Sequence, residues 1–344
     1  MNIKSLLLGS AAALVAVSGA RAADAVMAEP EAVEYVRVCD AYGAGFFYIP
    51  GTETCLKIGG RVEYKISFAD DDDGWKKRAT AMLNFDARSD TELGTLRAYI
   101  EFEMSRRPVY NTTSVADLVT GVVTTTNLNT FNWGTTLGLN HAYISLGGLK
   151  MGWSDTLWDG DINGEFDSFG GAGVNFIGYT FSGGNGFSFT LNLEEVDYNL
   201  DYTPNVVAKA SYDQGMFGLN AWAAYDATAE EFGLKAIVTA KLSDPFTLQL
   251  GATYNSDQNF YSNGYDWSLA ASGKFQVNEK LSFVAGGQYL ADQHVSGNDD
   301  FALGIVAEYV AVPNFVTTLA VNYKDGDSYS DGAVDGFLRF RRNF

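Results

Sequence analysis

Only two cysteines and two histidines occur in the 344 residues. That scarcity leaves little to build a hydrolytic triad or a metal centre from, because both need convergent imidazole or thiolate groups. No CxxC or CxxH spacing, glycine-rich phosphate loop, helical heptad or low-complexity tract is present, so no cofactor and no metal are expected. Basic side chains are scarce relative to acidic ones, 23 against 42, for a formal net charge of −19, which argues against nucleic acid as a partner. Long apolar runs are missing beyond the first 22 residues, where no stretch of ~18 uninterrupted apolar residues exists to form a membrane-spanning helix.

What is present is β-forming. Thirty-seven glycines, 19 tyrosines and 23 phenylalanines describe a β-rich chain. The mean hydropathy of −0.06 suits a barrel with one apolar and one wet face. Four segments run from a bulky apolar residue to a tyrosine at the same parity: Phe217 to Tyr225, Phe246 to Tyr254, Leu281 to Tyr289 and Phe315 to Tyr323. The positions between them on that face are mostly apolar, for instance Leu248, Leu250 and Ala252, while the opposite face is small or polar, as in Thr247, Gln249, Gly251 and Thr253. Eight strand steps of about 3.3 Å at a tilt of about 40° rise roughly 20 Å, near the height of an outer-membrane apolar band with its aromatic girdles.

Residues 1–22 combine Lys4, an apolar run from Leu6 to Val17 and the small-residue ending Ala20-Arg21-Ala22, the pattern of a secretory signal peptide. Its removal would take the net charge to −21. Residues 23–54 form an N-terminal segment before the barrel. In an exported chain the sixteen-residue spacing of Cys39 and Cys55 favours a disulfide, worth roughly 3 kcal/mol in the chain-entropy picture, with free thiols or a metal pair as the other readings.

From Cys55 to Phe344 alternation recurs sixteen times. In the first case Leu56, Ile58, Val62, Tyr64, Ile66 and Phe68 oppose Lys57, Arg61, Glu63, Lys65 and Ser67. Seven short turns, such as Thr91 to Gly94 and Asp213 to Gly215, alternate with eight longer polar connections, including Arg107 to Asn132 and 159–173. A barrel with both termini on one side of the membrane requires that alternation. The fold class expected is therefore all-β, a transmembrane antiparallel β-barrel of about 16 strands. The run Asp70 to Asp73 reads as a solvated loop tip, with divalent-cation binding as the sharper reading.

The stretch from Val36 to Gly60, with Cys39-Asp40-Ala41-Tyr42-Gly43, Phe46-Phe47-Tyr48-Ile49-Pro50-Gly51 and Cys55-Leu56-Lys57-Ile58-Gly59-Gly60, closely resembles the signature region of the alphaproteobacterial porin family. The ending Phe337-Leu338-Arg339-Phe340-Arg341-Arg342-Asn343-Phe344 is similar to the sorting signal of outer-membrane barrels, with Phe344, Phe340 and Leu338 at one parity. Arg342 departs from that pattern and is expected at the membrane interface. The resemblance implies a homotrimeric, water-filled barrel in the outer membrane, in contact with lipid and lipopolysaccharide. It would pass small hydrophilic solutes, and its third loop would fold inward to narrow the pore.

Sixteen strands enclose more space than side chains can fill. The third long connection carries Asp155, Asp159, Asp161, Glu165 and Asp167 among glycines, and Glu165-Phe166-Asp167-Ser168-Phe169-Gly170-Gly171 resembles the acidic inward loop of general porins. Inside the lumen these carboxylates are expected to face Lys57, Arg61, Lys65, Arg78, Arg88 and Arg97, all at polar parity. Opposed charges across a constriction set up a transverse field that favours polar solutes, and the acid excess predicts a mild cation preference.

Three rival readings exist. A barrel enzyme would have to use His141, which alternates with Tyr143 and Ser145, or His294, which sits in a polar loop beside Gln293; both read as ordinary polar side chains. A surface adhesin would need fewer strands. A sugar- or amino-acid-specific channel would use Trp153, Trp158, Phe166 and Phe169 as an apolar track, unless these rings pack the loop against the wall.

Overall fold

The computed structural model describes residues 37–70, 74–116, 123–196 and 203–344. The expected signal peptide and most of the run Asp70 to Asp73 lie outside the described residues. The strands in chain order are β1 (Phe47–Tyr48), β2 (Cys55–Ala69), β3 (Lys76–Thr91), β4 (Gly94–Ala116), β5 (Val123–Leu146), β6 (Leu149–Asp155), β7 (Gly173–Gly184), β8 (Phe187–Glu195) and β9 (Asn205–Gln214). They continue with β10 (Phe217–Asp226), β11 (Glu231–Ser243), β12 (Phe246–Asn255), β13 (Tyr265–Gln276), β14 (Leu281–Gln293), β15 (Asp300–Val312), β16 (Phe315–Gly326) and β17 (Ala333–Asn343). Among the described residues, β2 to β17 pair antiparallel with their chain neighbours, and β17 returns to β2 to close a sixteen-stranded ring. β1 extends the ladder of β2 through Phe47 with Leu56 and Tyr48 with Cys55.

Alternation in the sequence becomes two surfaces because antiparallel partners point to the same face. The four apolar-to-tyrosine segments are β10, β12, β14 and β16, and Phe217, Tyr225, Leu250, Tyr254, Phe283, Tyr289, Leu319 and Tyr323 are all exposed. In water that much exposed apolar surface would be untenable; against lipid it is the stabilised state. At the long-loop end the aromatic rings pair across strands, Phe232 with Tyr254 at 6.0 Å, Trp267 with Tyr289 at 5.6 Å and Phe301 with Tyr323 at 6.1 Å between centroids. This is an interfacial girdle.

The connection expected over Arg107 to Asn132 is instead largely strand: β4 and β5 stay paired as far as Ala116 with Val123. Thr112, Thr113 and Val115 pair with Asn127, Thr126 and Thr124 in that register, and β-branched residues are enriched in strands. Cys39 and Cys55 are joined in a disulfide, with Cα atoms 6.0 Å apart, and both are buried. The free-thiol and metal-pair readings are thereby closed. Gly60 exchanges two backbone hydrogen bonds with Phe344, at 3.0 and 3.1 Å, at the foot of the β17–β2 seam.

Candidate functional site: the inward loop and the wall it faces

Residues 156–172 connect β6 to β7 and turn into the barrel. The turn begins at Glu194 on β8, a fully buried carboxylate. Its oxygens accept hydrogen bonds from Thr156 Oγ1 at 2.5 Å, the Leu157 amide at 2.8 Å, Asn192 Nδ2 at 3.2 Å and the Tyr261 hydroxyl at 3.2 Å. A buried charge persists only with such partners, and here they fix the loop's entry direction.

Beyond the entry, wall side chains satisfy the loop's backbone one group at a time. Trp222 Nε1 donates to Leu157 O at 2.8 Å, and Lys235 Nζ donates to Trp158 O and to Gly160 O, the latter at 3.0 Å. Gln249 Oε1 accepts from the Asn163 amide at 2.7 Å. Gln288 holds Ser168 at both ends, accepting from its amide at 2.7 Å and donating to its carbonyl at 2.9 Å. Between these bonds Trp158, Ile162, Phe166 and Phe169 are buried against Val207, Trp222, Ile237, Tyr261, Ala270 and Ala302.

Room for the rings comes from missing side chains on the wall. A Cβ at Gly304 would fall 2.7 Å from Phe166, and one at Gly251 would fall 2.6 Å from the Phe169 ring. The loop therefore follows the wall round to β15, and Glu165 reaches β17, where Arg339 Nη2 donates to its Oε1 at 3.1 Å.

Arg339 stands in a row. It lies opposite Lys65 on β2, which lies opposite Arg78 on β3. Lys65 Nζ sits 3.9 Å from the centre of the Phe337 ring. Below that row Glu63 meets Arg341 at 3.1 Å and Arg78 at 3.8 Å, and Arg61 meets Glu103 at 3.5 Å. Nearer the short-turn end, Asp86 binds Arg88 at 2.7 Å and Arg97 at 2.9 Å, while Lys57 lies beside Phe46. The six expected cations thus occupy different heights, and four of them, Arg61, Arg78, Arg88 and Arg97, pair with wall carboxylates rather than with the loop. Arg339, Arg341 and Lys235 join the lumenal charges although sequence composition does not single them out; the parity of Arg339 and Arg341, opposite to Phe340 and Phe344, is the signal that marks them.

The expected acids also separate. Asp155 ends β6, exposed, 3.8 Å from His141 Nε2. Asp167 accepts from the Ile162 amide at 3.0 Å, inside the loop. The Asp161 carboxyl, although exposed at its surface, is pushed up to about 6, chiefly by desolvation from the surrounding loop and wall, then by the nearby Asp167 and Asp159, with Lys235 opposing. The rings of Trp158, Phe166 and Phe169 are turned into the wall, which is the packing alternative to an apolar solute track. His141 Nδ1 lies 3.0 Å from Ser154 Oγ, within the polar lining.

A closed sixteen-stranded ring with a lipid-facing exterior, a charged interior and a loop laid across the inside is a transmembrane β-barrel channel of the outer-membrane type. Residues 24–338 match the porin subfamily, and the chain belongs to it. Porin Omp2a of Brucella suis biovar 1 is 40% identical over 382 residues, with 100% of both chains covered. Porin Omp2b of Brucella abortus (strain 2308) is 39% identical over 383 residues, again over 100% of both. Among solved structures, the outer membrane channel DcaP of Acinetobacter baumannii superposes with a TM-score of 0.65 at 16% identity, over 86% of this chain and 99% of that one. Vibrio cholerae OmpT in its trimer form gives a TM-score of 0.60 at 10% identity, over 85% and 100%. At such identities these two show the shared fold. The chain is an outer-membrane porin.

Proposed function

We propose that the pore passes small hydrophilic solutes non-selectively through a gap between the inward loop 156–172 and the wall of β17, β2 and β3. The observation that carries this reading is the Glu165–Arg339 contact, which sets a carboxylate of the loop against the row Arg339, Lys65 and Arg78. A field across the narrowest section orders water and dipolar solutes and penalises apolar ones. Burial of Trp158, Phe166 and Phe169 in the wall supports a general pore over a sugar-specific one, since these three rings offer no stacking face to a solute.

The finer parts of the reading are a mild cation preference, supported by Asp155, Asp159 and Asp161 exposed on the lumenal side, and a homotrimer, supported by the trimer form of the OmpT neighbour. Residues 1–22 act as the leader and are removed on export. Liposome swelling with sugars of increasing size tests the pore: similar relative rates below one size limit are expected, and uptake of a single sugar class would overturn generality. Reversal potentials in a potassium chloride gradient test the ion preference, and an anion-selective value would overturn it.

A further inference from the structure

A second element, besides the inward loop, lies on the lumenal side of the sheet. Residues 37–48 fold back as a hairpin: Val38 bridges Phe47, the Cys39 amide donates to Phe46 O at 3.0 Å, and the Tyr48 amide donates to Arg37 O at 2.8 Å. The face on which it lies follows from register. Cys55 is directly opposite Arg88, and Arg88 reaches Asp86 among the lumenal charges, so Cys55 also points inward. Its disulfide to Cys39 draws the hairpin to that side.

Once there, the hairpin covers charge. The buried Phe46 ring has the Arg88 guanidinium 5.1 Å and the Lys57 ammonium 5.9 Å from its centre. Tyr42 donates its hydroxyl hydrogen to Asp90 at 2.7 Å, and the Lys57 stem runs 3.5 Å from where a Cβ of Gly45 would be. None of these contacts is needed to close the ring, which β17 and β2 complete on their own.

We propose that the hairpin 37–48 is a second selectivity element, a strap fastened by Cys39–Cys55 that narrows the short-turn mouth and masks Arg88 from passing ions. An aromatic face held over a cation satisfies part of its field and excludes water and anions from that side. The mouth then presents fewer positive charges than its wall carries. This inference rests on the channel reading above.

The test uses the full-length protein in planar bilayers. Single-channel conductance and reversal potential are compared for wild type, the double variant Cys39→Ser with Cys55→Ser, and Phe46→Ala with the disulfide retained. A fourth sample is wild type treated after insertion with a phosphine reductant on the short-turn side, with reduction verified by thiol labelling. Freeing the strap is expected to raise conductance and shift the reversal potential toward anion selectivity; Phe46→Ala is expected to give the same shift. Unchanged conductance and reversal potential in Phe46→Ala and in the reduced wild type overturn the proposal, including the case in which the double variant does not fold. A wild-type protein with no conductance would overturn the channel reading and the strap with it, an outcome distinct from a conducting pore that ignores the strap.

Discussion

Glu165 and Arg339, 174 residues apart, meet at 3.1 Å and join the inward loop to the strand that closes the barrel. The pair is partly solvated, with side-chain exposures of 32% and 15%, so its contribution to stability is small and its effect on passing ions is the larger consequence. Glu165→Gln removes a negative charge beside three cations and is expected to shift the reversal potential toward anions. Arg339→Gln is expected to shift it the opposite way. Arg342→Gln, at the opposite parity, should leave it unchanged; equal shifts for Arg339 and Arg342 would contradict the assignment of faces.

Glu194→Leu leaves Thr156 Oγ1, the Leu157 amide and the Tyr261 hydroxyl without their shared acceptor. Each orphaned buried group costs about 1–3 kcal/mol, which is enough to detach the start of the loop without unfolding the barrel. Added proteases should then cut within 156–172 of the folded protein, and single-channel records should become noisier. A loop that resists proteolysis as wild type does would place its anchor elsewhere.

Gly304→Val should displace Phe166, because a Cβ at that position already falls 2.7 Å from it. The overpacking is expected to cost about 1–3 kcal/mol. Adding Phe166→Ala should restore part of that loss, and the double-mutant cycle in thermal unfolding measures the coupling. Strict additivity would mean that the two do not touch.

Asp161 gives the pore a pH dependence with a definite sign. Its pKa is raised to about 6 in the folded chain, so below that pH it is neutral and the lumen has lost a negative charge. A raised carboxylate pKa means that the folded state holds the proton more tightly: this group's stabilising contribution is present at low pH and fades as pH rises through about 6. Cation preference should fall between pH 7 and pH 5, and Asp161→Asn should remove most of that change. An identical pH response in the variant would assign the titration to another group.

The two faces of every strand were legible in the sequence because membrane and water impose a period of two on β2 to β17. Lys65 and Arg78 could be placed on the lumenal face for that reason. Their neighbours could not, because register decides which lumenal acid meets which base. Glu63 and Glu103 stand at lumenal parity, yet nothing local says that Arg61 meets Glu103 while Asp86 takes both Arg88 and Arg97. Glu165 was legible as an inward acid, but its partner was not. How far the loop travels round the wall depends on Gly251, Gly286 and Gly304 leaving seats for Phe169 and Phe166, a match between surfaces distant in sequence. The ribbon of β4 and β5 reads as a connection in the sequence because its residues are polar, whereas their β-branching favours the strands that form.

The seam at which Asn343 faces Arg61 and Gly60 bonds Phe344 has a consequence for how the molecule is made. Its contacts have nearly the largest sequence separation the described chain allows, so their loop-closure entropy is met late in folding. Until β17 arrives, β2 keeps a row of unpaired amides and carbonyls that any other extended chain can occupy. A cell that makes this protein therefore has to keep the unfinished barrel away from its own copies until the seam has zipped.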